Sequence, residues 1–153
     1  MVLHSEGSKS AELWFATPAA AERFDPAALS DAEAQRYARL RNSDKRQDFA
    51  VSRSLRPFLR IREGPLGTLS HSRGHAALLR ITDTQGWGVD LEVHAPKRLS
   101  SLARFAYSAA EADAVESAPE AQRPRLFYAL WTLKEAFAKA PRLPLLEATR
   151  ACT

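Results

Sequence analysis

The stretch LSHSRGHAALLRITDTQGWGVDLEV, residues 69–93, decides the architecture. Leu69–Ser72 runs into a turn at Arg73-Gly74, and His75–Thr82 reads as a strand. Asp83–Gly86 is a second turn, and Trp87–Val93 reads as the next strand. Connections this short join antiparallel neighbours, whereas parallel strands need crossovers of roughly a dozen residues or more. The stretch therefore predicts a small antiparallel sheet.

Working outward from it, Glu12–Thr17 adds a strand that Pro18 ends. Ser30 with Glu33 three residues on is a capping box, opening a helix to about Leu40. Asn42-Ser43 offers a second cap, for a helix from Asp44 to about Arg56. Its buried residues should be Phe49, Leu55, Phe58 and Leu59, and Pro57 should stop it. Gly64, Pro65 and Gly67 mark a loop before the sheet. Beyond the sheet the chain reads as helical. Ser100–Ala106 is short, and Ser108 with Glu111 caps a helix to about Ser117. Pro119 and Pro124 bracket a loop, and Arg125–Ala140 is the strongest helix, stopped by Pro141 and Pro144. The fold class is α+β, one small antiparallel sheet with helices. It is divided into an N-terminal α+β lobe over 1–86 and a C-terminal lobe over 87–153.

The chain has 153 residues, 45% hydrophobic and 26% charged, as in an ordinary globular protein. No stretch is long enough to span a membrane, and Met1–Ser10 has no apolar core of the kind a secretory signal carries. A cytoplasmic protein with no membrane partner is expected. Cys152 is the single cysteine, which excludes a disulfide framework and a cysteine-based zinc site. The net charge of +4 is uneven. Arg36, Arg39, Arg41, Lys45, Arg46, Arg53, Arg56, Arg60 and Arg62 stand against only Asp44 and Asp48, so 36–62 carries +7 and the rest −3. Such a segment is either a solvated basic helix or a surface for a polyanion. Nucleic acid is the weakest polyanion here, because the segment is expected to lack exposed aromatics interleaved with the basic residues, and no nucleic-acid motif is present.

Three segments carry candidate chemistry. In Gly88-Val89-Asp90-Leu91-Glu92, alternation would turn Val89, Leu91 and Val93 to the core and leave Asp90 and Glu92 together on the other face. That pair is either a solvent-facing acidic edge or a site for a hard cation such as Mg²⁺, which takes one or two carboxylates plus phosphate oxygens and water. In Arg125–Ala140, Leu126, Leu130, Leu133 and Phe137 form an expected core stripe. Tyr128, Trp131, Glu135 and Lys139 line the opposite side, where paired aromatics demand a cover. Glu135 and Lys139 could also be a simple i,i+4 surface pair worth about 0.2–0.5 kcal/mol. Finally, Ser70-His71-Ser72 offers hydroxyl, imidazole and backbone donors suited to phosphate. No G-x-S-x-G elbow accompanies it, so a serine-hydrolase reading fails.

Taken in order, SHS (Ser70–Ser72), GVDLE (Gly88–Glu92) and WTLKEAFAK (Trp131–Lys139) resemble the motifs of the 4'-phosphopantetheinyl transferases of the surfactin-synthetase-activating type. RSLRPFL and RFAYSAAEADAV between them fit the same pattern, and the resemblance covers roughly Leu29 to Ala140. It implies an enzyme that moves the 4'-phosphopantetheine group of coenzyme A, its substrate, to a serine of an apo acyl or peptidyl carrier protein. It implies Asp90, Glu92 and Glu135 as Mg²⁺ ligands, Glu135 as the base and Lys139 as the group that stabilises or protonates departing 3',5'-ADP. Ser70, His71, Lys139 and Arg46 or a neighbour would contact coenzyme A, and other basic residues the carrier protein. Two departures stand out. Gly64–Gly67 is shorter than the family's coenzyme A loop, and only Pro141–Thr153 follows Lys139 where the family continues into further strands. The resemblance thus implies a C-terminally shortened member whose second lobe is incomplete and which could self-associate, as the smaller holo-acyl-carrier-protein synthases do. A non-catalytic coenzyme A or carrier-protein binder is the alternative.

Overall fold

The computed structural model describes residues 2–4, 10–59, 67–81, 87–95 and 99–140. The chain is α+β and divides into two compact units, Met1–Thr84 and Gln85–Thr153.

The first unit is built on a four-stranded antiparallel sheet of order β1-β2-β4-β3, from β1 (Val2–His4), β2 (Ser10–Ala16), β3 (Gly67–Ser72) and β4 (His75–Ile81). β3 and β4 meet through Arg73 and Gly74, both at positive φ (47° and 76°). Two successive left-handed residues form the hairpin turn whose twist matches the strands. α1 (Asp31–Ala38) starts at Ser30, whose amide and hydroxyl both donate to Glu33 Oε2. In α2 (Ser43–Ser54), Asn42 Oδ1 accepts from the Lys45 amide, satisfying one of the orphan donors of the first turn. Val51 of α2 and Leu55, which caps its C-terminus, bury against Ala16, Ala76 and Leu78 of the sheet. Buried Asp48 accepts a 2.5 Å hydrogen bond from the Gly74 amide, tying α2 to the hairpin tip. Phe49 and Leu55 are buried as expected, and Phe58 stacks on Trp14 at 4.1 Å. The expected side chain of Leu59, the loop at 64–66, the turn at 83–86 and the stops at Pro141 and Pro144 lie outside the described residues.

The second unit packs α3 (Leu99–Ala106), α4 (Ala109–Ser117) and α5 (Arg123–Lys139) around Ala103, Tyr107, Ala112, Val115, Phe127 and Tyr128. Pro124 lies in the first turn of α5, where its missing N–H has no intrahelical partner to lose, so the helix starts earlier than the expected loop allows. Arg104 clamps α3 to α4 through Asp113 at 2.8 Å and Glu116 at 2.5 Å.

Two expectations are corrected. Trp87–Val93 joins no strand of the described sheet; residues 87–95 run without regular structure. They make contacts with α5, as described below. The expected core stripe of α5 holds only in its first half, where Leu126 and Leu130 pack part-buried against the core, and fails at Leu133 and Phe137. Leu133 is 68% exposed and Phe137 45%, while the buried side chains are Phe127, Tyr128, Lys134 and Ala138. The inward stripe of Phe127, Trp131, Lys134 and Ala138 lies one residue round from the expected one.

Candidate functional site

Residues 87–95 lie along α5 and run opposite to it. At one end Gly88 faces the last turns. A Cβ there would sit 1.7 Å from the Ala136 carbonyl oxygen and 3.1 Å from the Ala140 amide nitrogen, so only glycine fits. At the other end the Tyr128 hydroxyl accepts from the Ala95 amide at 3.1 Å and donates to the Ala95 carbonyl at 3.3 Å. The His94 ring stacks on Tyr128 at 4.5 Å. This extended segment is the cover that the Tyr128-bearing side of α5 requires.

Alternation then determines what meets the helix. Were the segment extended, Gly88, Asp90 and Glu92 would share a face, and Gly88 abuts α5. Asp90 follows it inward: its side chain is 5% exposed, and its Oδ1 lies 2.6 Å from Lys139 Nζ. Asp90 is thus no part of a solvent-facing acidic edge. Glu135 is held above the usual carboxylate range, first by burial, then by the negative charges of Asp90 and Glu92, with Lys139 opposing. Asp90, Glu92, Glu135 and Lys139 are therefore brought within electrostatic reach of one another.

The carboxylates are not drawn into a closed cage: among the described residues no group of three or more His, Cys, Asp or Glu side chains is assembled to hold a metal. The donor chemistry nevertheless suits a hard cation. Three carboxylate-bearing residues repel one another here, the lysine offsets one charge, and oxygen donors are what Mg²⁺ selects.

The remaining candidates lie in the first unit. Ser70 and Ser72 are buried on one face of β3, and His71 is exposed on the other. The Ser70 and His71 side chains therefore point to opposite faces of the sheet. Arg46 is exposed, lies over the Tyr37 ring at 4.9 Å, and lines an open cavity of about 510 Å³ with Phe24, Tyr37, Ser43 and Gln47. Arg53 and Arg56, counted with the basic segment, are both engaged by Glu33, Arg53 at 2.9 Å.

Sequence reasoning missed Gly88 as a seating residue and the buried pair Lys134–Glu111, whose Nζ and Oε1 are 3.0 Å apart. The signal for Gly88 was present: a glycine two positions before Asp90 leaves a gap on the face that carries the carboxylates. No comparable signal marked Lys134.

Residues 86–151 match the family model of the 4'-phosphopantetheinyl transferase superfamily. The chain is 38% identical over 82 residues to the Synechocystis sp. protein slr0495, provisionally named a 4'-phosphopantetheinyl transferase, covering 53% of this chain and 33% of that protein. It is 38% identical over 78 residues to the 4'-phosphopantetheinyl transferase HetI of Nostoc sp., covering 50% of this chain and 32% of the relative. The chain thus spans about a third of the length of the curated relatives it matches. The matched family region contains the whole Gly88–Glu92 and α5 assembly.

Proposed function

We propose that this chain transfers the 4'-phosphopantetheine group of coenzyme A to a serine of an apo carrier protein, with Mg²⁺. What carries the reading is the seating of Gly88–Glu92 on α5, which places Asp90 against Lys139 and Glu135 within reach of both acidic residues of the segment. The similarity of residues 86–151 to the transferase superfamily supports it.

In this reading Glu135 accepts the proton of the carrier serine hydroxyl. The serine oxygen then bonds to the phosphorus that bears pantetheine, as the bond to 3',5'-ADP breaks. A carboxylate raised by burial and neighbouring negative charge is a better proton acceptor than an exposed one. Lys139 offsets the charge on the departing 3',5'-ADP or protonates it. Asp90, Glu92 and Glu135 would hold Mg²⁺, which when bound neutralises charge on the pyrophosphate. Ser70, His71 and Arg46 would contact coenzyme A phosphates. In that role exposed His71 would act through its side chain, and buried Ser70 from the other face of β3.

The test is incubation with an apo carrier protein, coenzyme A and Mg²⁺, read by intact mass. Gain of the phosphopantetheine mass on the carrier is expected, abolished by Glu135→Gln. A carrier that stays unmodified while coenzyme A binds would favour the second reading, a non-catalytic coenzyme A or carrier-protein binder. The observation on that side is that Lys139 already pairs with Asp90.

A further inference from the structure

Lys134 sits at 4% exposure in the middle of the inward stripe of α5. A buried ammonium is costly unless paired, and Glu111 Oε1 lies 3.0 Å from its Nζ. Glu111 is itself pinned. Its Oε2 accepts from the Ser108 amide at 2.9 Å and from the Ser108 hydroxyl at 3.0 Å, the return arm of the α4 capping box. One carboxylate thus closes the start of α4 and grips α5. Seven residues earlier on the same side of α5, the Tyr107 hydroxyl donates to the Phe127 carbonyl at 2.6 Å. Tyr107 in the α3–α4 connection and Glu111 in the first turn of α4 therefore tether α5 at two points about two turns apart.

We propose that Lys134 and Glu111 are a positioning pair that fixes the rotation of α5 about its axis, holding Glu135 and Lys139 against Asp90. The pair lies about a quarter-turn round the helix from Glu135, so turning α5 carries Glu135 sideways with it. At a side-chain radius of about 5–6 Å, roughly 10° of rotation moves a carboxyl about 1 Å. A misplacement of that size can lower a rate on the order of a hundredfold. Stability alone does not call for the pair, since well-packed apolar side chains often replace a buried ion pair at no cost. What apolar side chains lack is a directional contact that selects one rotation. The proposal rests on the transfer reading for its kinetic consequence and on the geometry of α5 for its structural one.

The experiment compares Glu111→Gln, Lys134→Met, the double variant and Lys134→Arg in the full chain. In carrier loading, kcat should fall by at least about tenfold in the single variants, with KM for coenzyme A changed by less than about threefold. The double variant should be no worse than either single, and Lys134→Arg should recover most of the rate. Folded variants with wild-type kcat, or losses that multiply in the double variant, would overturn the proposal. If Lys134→Met does not fold, Glu111→Gln, which preserves side-chain shape, carries the test alone. If the wild type itself loads no carrier, the transfer reading fails separately. The pair is then judged by acylation of Lys139 with an amine-reactive ester, read residue by residue by mass spectrometry. Release of Lys139 from Asp90 should accelerate its modification severalfold in Glu111→Gln, and an unchanged rate would overturn the proposal.

Discussion

At position 88 a single methyl group decides whether the segment can lie on its helix. Alanine there would put carbon 1.7 Å from the Ala136 carbonyl oxygen and 2.7 Å from the carbonyl carbon, both backbone atoms in a hydrogen-bonded turn. Neither can swing aside as a flexible side chain would, so the segment must lift. Gly88→Ala should cost about 1–3 kcal/mol by overpacking and weaken the Asp90–Lys139 pair. A denaturation midpoint equal to that of the wild type would contradict this. Glu33 makes a second residue-scale case. Burial on its own would raise its pKa. The Ser30 hydroxyl and amide, with Arg56 and Arg53, overcome that and hold it at about 2, below the ordinary 4.5. A depressed carboxylate stabilises the fold fully above its unfolded pKa and loses that contribution as pH falls towards its folded one. Glu33→Gln should therefore cost about 1 kcal/mol at neutral pH. The gap to the wild type should close as pH drops from 4.5 to about 2. Urea midpoints across that window check it, and a gap independent of pH would refute it.

Among the elements, α5 separates what was legible from what was not. Capping boxes at Ser30–Glu33 and Ser108–Glu111, and the turn at Arg73-Gly74, could be read because each is a local rule acting over three or four residues. Alternation suggested that Asp90 and Glu92 would act together, and both add negative charge at Glu135. The partner of that segment was not legible. Whether seven residues pair with a strand or lie on a helix is settled by tertiary contacts, here Gly88 on Ala136 and Tyr128 on Ala95. The phase of α5 was hidden by Lys134. A lysine normally faces water, so nothing in the sequence marks position 134 as inward, and the apolar spacing alone selects Leu133 and Phe137. With Phe127 2% exposed and Leu133 68% exposed, the two phases predict opposite outcomes. Phe127→Ala should cost about 3–5 kcal/mol, whereas Leu133→Ala should stay within about 0.5 kcal/mol. Chemical denaturation of the two variants decides, and a larger loss at Leu133 would restore the other phase.

Across the whole molecule, charge is distributed unlike chemistry. The carboxylates and Lys139 lie in the second unit, while the net +7 of residues 36–62 lies in the first. Not all of that charge is available. Arg53 and Arg56 are held by Glu33, and Arg60 and Arg62 fall outside the described residues. Arg36, Arg39, Arg41 and Lys45 remain, all exposed and none with an ion-pair partner among the described residues. Four such cations within ten residues, beside Arg46, form a positive field that could steer an acidic macromolecule at low ionic strength and would fade as salt shortens its range. On the proposed transfer reading, steering acts on encounter, so it should appear in kcat/KM for the carrier protein and not in kcat. Raising salt from about 0.05 M to about 0.5 M should lower kcat/KM for an acidic carrier by about tenfold or more. Replacing Arg36, Arg39 and Arg41 by glutamine should give that lower value already at low salt and flatten the salt dependence. KM for coenzyme A should change little in this variant, because Arg46 is untouched. A triple variant with the wild-type salt profile would place the docking charge elsewhere. Tight binding of random duplex DNA that weakens steeply with salt would identify nucleic acid as the polyanion instead.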